Sequence, residues 1–283
     1  MTRVAVLLTC HNRQTKTLAC LDALFQCTLA DQHTLDVFLV DDGCSDGTAA
    51  AVNKSYPLVN IIEGDGNLFW NGGMRMAYAA AMDIGFDFYL WLNDDTLLYQ
   101  NAVQELVSTS HDLQAQHKKN IIVVGSTRDT NDGRLTYGGL IRPSKWKATT
   151  FTLLPPRDVP VECDTMNGNC VLVPREIAEV MGNLDPQFTH AMGDLDYGLR
   201  ARNLGFGVWV MPGFAGTCDK NAVANSFNDA SLSVVVRLRR MMQSKGLPPA
   251  PWLVFTRRHV GIFWFIYWLW PYVKVIATGR LIE

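Results

Sequence analysis

Three polar stretches, each following an apolar run, hold most of the residues here that can do chemistry. They are Thr9-Cys10-His11-Asn12-Arg13, Asp41-Asp42-Gly43-Cys44-Ser45-Asp46-Gly47-Thr48 and Asn93-Asp94-Asp95-Thr96. An apolar run that ends in polar residues reads as a buried strand whose carboxyl end meets a ligand, as in open parallel sheets. A single acid at such an end is commonly a helix N-cap, and Asp46 reads that way. Two Asp pairs at separate strand ends are different, because clustered carboxylates repel one another. A cation relieves that repulsion, and hard oxygen donors beside a phosphate suit Mg²⁺ or Mn²⁺.

The elements that must position these groups alternate through the first half of the chain. Val4–Leu8, Val37–Val40, Val59–Ile62 and Phe88–Leu92 read as strands, and Ile121–Val124 begins another. Between the first two, Leu18, Leu21, Leu24 and Phe25 recur at helical spacing and form an inward face. Gly72 to Met82 reads as a helix with Met74, Tyr78 and Ala81 on one side, and 101–119 as a polar helix. Strands alternating with helices predict a mostly parallel sheet covered by helices. The second half is less regular. Gly138-Gly139 predicts a turn, Pro155-Pro156 with Pro160 a crossing loop, and Val171–Val173 a strand closed by Pro174. Asp194 to Asn203 reads as a helix stopped by Gly205, followed by a strand over Phe206–Val210.

Composition narrows the class. At 283 residues, 48% hydrophobic and 18% charged, the chain can bury a full α/β core. A net charge of −2 gives no reason to expect nucleic acid as a partner. The seven cysteines are scattered, odd in number and form no CxxC pair, which argues against a zinc site or a disulfide framework and fits a reducing cytosol. Val4–Leu8 is too short for the apolar core of a signal peptide and reads as a strand. The tail differs in character. Val260 to Val273 carries no charge and seven aromatics, between Arg257-Arg258-His259 and Lys274. Fourteen residues fall short of the roughly 20 that cross a bilayer as a helix. Aromatics flanked by cations suit the membrane interface, and the competing readings are a buried core helix or a dimer interface.

At its polar strand ends the chain resembles the family-2 glycosyltransferases. Val40-Asp41-Asp42-Gly43-Cys44-Ser45-Asp46-Gly47-Thr48 is similar to that family's second-strand signature, with Cys44 where a serine is usual. Leu92-Asn93-Asp94-Asp95-Thr96 resembles its metal-binding DxD element, in the form found in a rhamnosyltransferase-like branch. Thr165-Met166-Asn167-Gly168-Asn169-Cys170, running into Val171–Arg175, falls where the family has its acceptor-side strand. Gly193-Asp194-Leu195-Asp196-Tyr197-Gly198-Leu199-Arg200 resembles its catalytic helix, with Gly193 in place of the usual Glu. The four elements occur in family order across residues 4–215.

The resemblance implies a GT-A fold, a Rossmann-like mostly parallel sheet flanked by helices. It places a glycosyltransferase domain over 1–220, with a nucleotide-sugar half over 1–125 and an acceptor half over 126–220. Residues 221–283 then form a helical segment that can lie at a membrane interface. The implied activity is metal-dependent inverting transfer of a hexosyl or deoxyhexosyl group from a UDP- or dTDP-activated donor to a saccharide acceptor carried on a lipid. The implied setting is the cytoplasmic face of the cell membrane, with a homodimer as one arrangement. Asp95 is the expected ligand of Mn²⁺ or Mg²⁺. Thr9, Asn12, Arg13, Asp41, Gly73, Arg75 and Asp94 are expected at the nucleotide sugar, where Arg75 can meet phosphate and Asp41 the N–H of a pyrimidine. Phe69 and Trp70 read either as walls of the sugar pocket or as core. Asp194 is the expected general base and Asp196 its alternative or its structural partner. Arg200 reads as an ion pair or a ligand clamp, and Arg258 with His259 as a phosphate contact or a solvated basic face. Two other readings stay open. A sugar-nucleotide nucleotidyltransferase shares the layout but would carry a Gly-rich cationic first loop. An inactive carbohydrate-binding scaffold would fit the carboxylates missing at Asn93 and Gly193.

Overall fold

The computed structural model describes residues 2–29, 33–144, 146–220, 226–229 and 231–278, so parts of the 221–283 segment lie outside the described residues. The first half runs β1 (Thr2–Cys10), α1 (Gln14–Phe25), β2 (His33–Asp41), α2 (Thr48–Ser55), β3 (Asn60–Glu63), α3 (Phe69–Ile84) and β4 (Phe88–Leu92). A short β5 (Leu97–Leu98) and α4 (Ala102–His117) lead to β6 (Ile121–Arg128). Then come β7 (Leu135–Tyr137), β8 (Gly139–Ile141), β9 (Thr152–Leu153), β10 (Val161–Glu162), β11 (Thr165–Met166) and β12 (Cys170–Pro174). α5 (Arg175–Met181), α6 (Gly193–Asn203) and β13 (Gly207–Thr217) follow, and the tail holds α7 (Val234–Met241), α8 (Pro249–His259) and α9 (Trp264–Thr278).

Among the described residues the main sheet has the order β10-β13-β6-β12-β4-β1-β2-β3, with β5 added to β13 and β7 to β6. β1 pairs in parallel with β2 and β4, β2 with β3, and β6 with β13. β12 runs antiparallel between β4 and β6. This mostly parallel sheet flanked by helices is consistent with the GT-A fold that the motifs imply. Alternate residues leave the sheet on opposite faces, so Leu8, Leu39 and Leu90 join α1 and α4 while Leu7, Val40 and Trp91 join α3 and α6. Burial on both faces is why these strands read as unbroken apolar runs. Each fully buried side chain of this size contributes about 1.5–3 kcal/mol.

Four details depart from the sequence reading. Phe25 is 44% exposed rather than inward and stacks on Tyr56, with ring centroids 5.0 Å apart. The third strand is Asn60–Glu63, one residue beyond Val59–Ile62. α3 starts at Phe69, before the expected Gly72, because the Asp42 carboxylate accepts the N–H groups of Gly66, Leu68 and Phe69 and so seeds the helix. The aromatic tail is broken rather than continuous: α8 ends at His259, Gly261 turns at φ +82°, and α9 begins at Trp264. No helix among the described residues is long and apolar enough to cross a membrane. α9 buries Tyr272 and Val275 in a cluster with Trp252 and Phe255 of α8 and with Phe188, Met192 and Leu199. Its other face shows Phe265, Ile266, Leu269, Trp270, Val273 and Ile276 to solvent.

Candidate active site

The carboxyl ends of β1, β2 and β4 open into a cavity of about 290 Å³. Thr9, Cys10, His11 and Arg13 form one side, Asp42, Gly66, Phe69 and Trp70 another, and Asn93, Asp94 and Asp95 the floor. Tyr137, Asn169, His190 and Lys245 close it from the second half of the chain. Parallel pairing of β1 with both β2 and β4 produces this convergence, because all three strands end on the same edge.

Arg13 bridges the two carboxylates of the floor. Its Nη1 donates to Asp94 Oδ1 at 2.9 Å and its Nη2 to Asp95 Oδ2, which Lys16 Nζ approaches at 3.7 Å. Asp94 is buried, and burial pushes its carboxyl up to about 7, against the pull of Arg13 and with the push of Asp95. Asn93 stands where the DxD element has its first Asp. Its Oδ1 accepts the Trp70 indole N–H at 2.7 Å, so a neutral side chain orients an aromatic wall of the cavity.

The second strand end divides its acids differently from the sequence reading. Asp41 Oδ1 accepts the N–H of Cys44 at 2.7 Å, and Asp42, not Asp41, lines the cavity. The N-cap of α2 is Gly47 rather than Asp46, which stands one residue earlier, accepts the Thr48 N–H at 3.1 Å and also holds the Gln14 N–H at 3.0 Å. Asn12 lies outside the cavity lining. It adopts φ +52°, and its Oδ1 accepts Ser45 N–H at 2.7 Å, joining the β1 and β2 loops. Gly73 serves helix–strand approach: a Cβ there would fall 2.0 Å from Thr9 Oγ1. Arg75 points away from the cavity, its Nε donating to Leu184 O at 3.0 Å. Nearly two turns into α3, this position faces the loop after α5, where Asn183 Nδ2 also donates to Arg75 O at 2.9 Å.

α6 brings the other carboxylates. Asp194 Oδ2 accepts Gly168 N–H at 2.9 Å and Oδ1 accepts Leu195 N–H at 2.8 Å. A Cβ on Gly168 would sit 2.4 Å from the Trp70 ring and 3.3 Å from Asp194 Cβ, so this glycine lies between the two, and Asp194 is not itself among the residues lining the cavity. Burial raises the Asp194 carboxyl above its ordinary range, opposed by the two N–H bonds. The helix start therefore does not hold it at its lowest basicity, as the position alone suggests. At Gly193, where the resemblance leads one to expect Glu, there is no room for a side chain: a Cβ would lie 1.8 Å from Asn71 Oδ1, and Asn71 is fixed by donating to Asp185 O and Phe188 O.

Asp196 is fully buried and points away from Asp194. It accepts from Arg200 Nε at 2.7 Å, Arg258 Nη1 at 2.6 Å and His259 Nε2 at 2.8 Å. Arg258 Nη2 also reaches Asp185 at 2.8 Å. Burial would raise the Asp196 carboxyl, but His259, Arg200 and Arg258 together hold it below the usual range. Arg200 is thus an ion pair within α6, and Arg258 with His259 latches α8 onto α6, with Arg258 still open to solvent on one side.

A model of the glycosyltransferase-like family 2 matches residues 2–242. The chain belongs to that family. No curated protein matches it significantly. A family-2 glycosyltransferase domain implies a nucleotide-sugar donor and an acceptor. The match runs past residue 220 and takes in α7, while α8 and α9 lie beyond it. For this glycosyltransferase the sequence reading missed Asn169, His190 and Lys245 as cavity residues, and had Asp42 only as one of an acidic pair. Asn169 had a signal in the stretch before β12. Burial lowers the His190 imidazole to about 4, aided by Lys245, so it faces the cavity neutral. Lys245 had only a cation beside Gly246-Leu247-Pro248-Pro249, a loop that long-range packing delivers.

Proposed function

We propose that this glycosyltransferase inverts the anomeric carbon of a UDP- or dTDP-activated hexose or deoxyhexose, transferring it to a saccharide acceptor carried on a lipid. The reading rests chiefly on one juxtaposition. Asp94 and Asp95 occupy the cavity floor, and Asp194 stands behind Trp70 and Gly168 at its wall. Asp194 takes the proton from the acceptor hydroxyl as that oxygen attacks, and burial, by raising its carboxyl, makes it a stronger base than an ordinary Asp. Attack in line with the departing diphosphate gives one displacement and inverts the carbon.

Asp95, with Asp94, would hold Mg²⁺ or Mn²⁺. The donor set supports this assignment, because it consists of carboxylate oxygens on the cavity floor while the Asn93 amide oxygen is engaged by Trp70. Such an ion would neutralise charge on the leaving diphosphate. Arg13 supplies positive charge beside both carboxylates and Lys245 supplies it across the cavity. Asp42 keeps the backbone of 66–69 in place beneath Phe69 and Trp70, which flank the sugar. Asp41 adjoins the cavity rather than lining it, and would meet the pyrimidine with the carboxylate oxygen that the Cys44 N–H does not occupy.

The exposed apolar face of α9 supports a lipid surface as the site of work. It carries six large apolar side chains, and the exposed cations Arg239, Arg240, Arg257 and Lys274 lie on the same tail, which suits anionic head groups. The deciding experiment is the anomeric configuration of the product, read from its NMR coupling constant. Configuration opposite to the donor's is expected; retention overturns the single displacement.

A further inference from the structure

The cysteines look dispersed in sequence, yet the β1–β2 register sets Cys10 beside Asp41, and the loop after β2 folds Cys44 back onto both. Cys10 Sγ and Cys44 Sγ lie 3.8 Å apart, unbonded. Two thiolates at about 2.3 Å from a tetrahedral zinc are themselves about 3.8 Å apart, so the sulfurs already span one edge of that polyhedron. One carboxylate oxygen of Asp41 completes a set of three donor atoms lying within 4.8 Å of one another. The surroundings match as well. The Asn12 N–H donates to Cys44 Sγ at 3.1 Å, aimed there by the left-handed turn at Asn12, and backbone N–H donors of this kind stabilise metal-bound thiolates.

We propose that Cys10, Asp41 and Cys44 bind one thiophilic divalent cation of the Zn²⁺ class in the wall of the donor cavity. Two soft sulfurs and one oxygen select against Mg²⁺ and Mn²⁺, so this site and the all-oxygen pair Asp94 and Asp95 sort cations by softness. Cys10 also lines the cavity, so the site borders it. A cation held there draws on Asp41 and so competes with the nucleotide, a consequence that rests on the reading given under Proposed function.

Co²⁺ is the probe for binding, because cobalt bound to thiolate gives an intense charge-transfer absorption. The full chain, kept reduced with a phosphine, is expected to take up one Co²⁺ with that band, to keep it as Asp95→Ala, and to lose it as Cys44→Ser and as Cys10→Ser/Cys44→Ser. Circular dichroism melts establish that the variants are folded. No band with cobalt in excess, or a band that persists in the double variant, overturns the site. Calorimetry with UDP then tests the coupling: Zn²⁺ should weaken UDP at least tenfold in the parent protein and leave Cys44→Ser unchanged. Equal UDP affinity with and without Zn²⁺ overturns the competition. A protein that binds cobalt through these sulfurs but never binds UDP overturns the proposed function and leaves the cation site standing.

Discussion

A Cβ at position 193 would lie 1.8 Å from Asn71 Oδ1, and Asn71 cannot retreat without breaking its bonds to Asp185 O and Phe188 O. Gly193→Ala should therefore destabilise the fold by about 1–3 kcal/mol, the usual cost of overpacking, measured by urea unfolding. An unchanged midpoint would mean that the helix start yields freely. Asp194 behaves in the opposite sense. Its carboxyl is raised in the folded chain, so folding favours the protonated form, and stability falls as pH rises through that value. Asp194→Asn should thus lose about 10²–10⁴-fold in transfer rate while its melting temperature does not drop. The acid limb of the parent's rate profile should lie above the ordinary Asp value of 3.8. Full activity in Asp194→Asn would move the proton to another group. Which carboxylate of a pair does what is not legible in sequence: Asp41 ends β2 and holds the Cys44 N–H, while Asp42 takes the N–H groups of Gly66, Leu68 and Phe69, partners that lie more than 20 residues on.

Elements were more legible than contacts. β1, β2 and β4 announce themselves because burial on both faces forces apolar runs, and α6 is bounded by acids at its start and Gly205 after its end. The partners of Arg258 and His259 were hidden, since nothing local to α8 says that a buried carboxylate on α6 waits for them. That latch makes a prediction of its own. Asp196→Ala leaves Arg200, Arg258 and His259 around an empty place and should cost about 3–5 kcal/mol, read by denaturant unfolding. The Asp196 carboxyl is held below its usual value of 3.8, so the latch's contribution is present above that pH and is lost as pH falls below it. A variant as stable as the parent would show that α8 is held by its apolar contacts alone.

On the scale of the whole molecule, α9 has two faces, one packed on α8 and α6 and one exposed. Phe265, Leu269 and Trp270 are each at least half exposed, so replacing Phe265 and Trp270 with Glu leaves the core cluster intact. The double variant should no longer sediment with anionic vesicles yet should still hydrolyse donor, whereas the parent should sediment. A parent that stays in the supernatant would make this face an oligomer contact. The inward face has a further consequence, set by the direction of protein synthesis. The patch formed by Phe188, Met192 and Leu199 flanks Asp194, and its partners Trp252, Phe255, Tyr272 and Val275 are translated later. While the ribosome is still making those residues, α6 has an uncovered apolar side and α8 is not there to meet Asp196. The cover over Phe188, Met192 and Leu199 and the partners of Asp196 on α8 are therefore added last, after the strands whose ends build the cavity have been made.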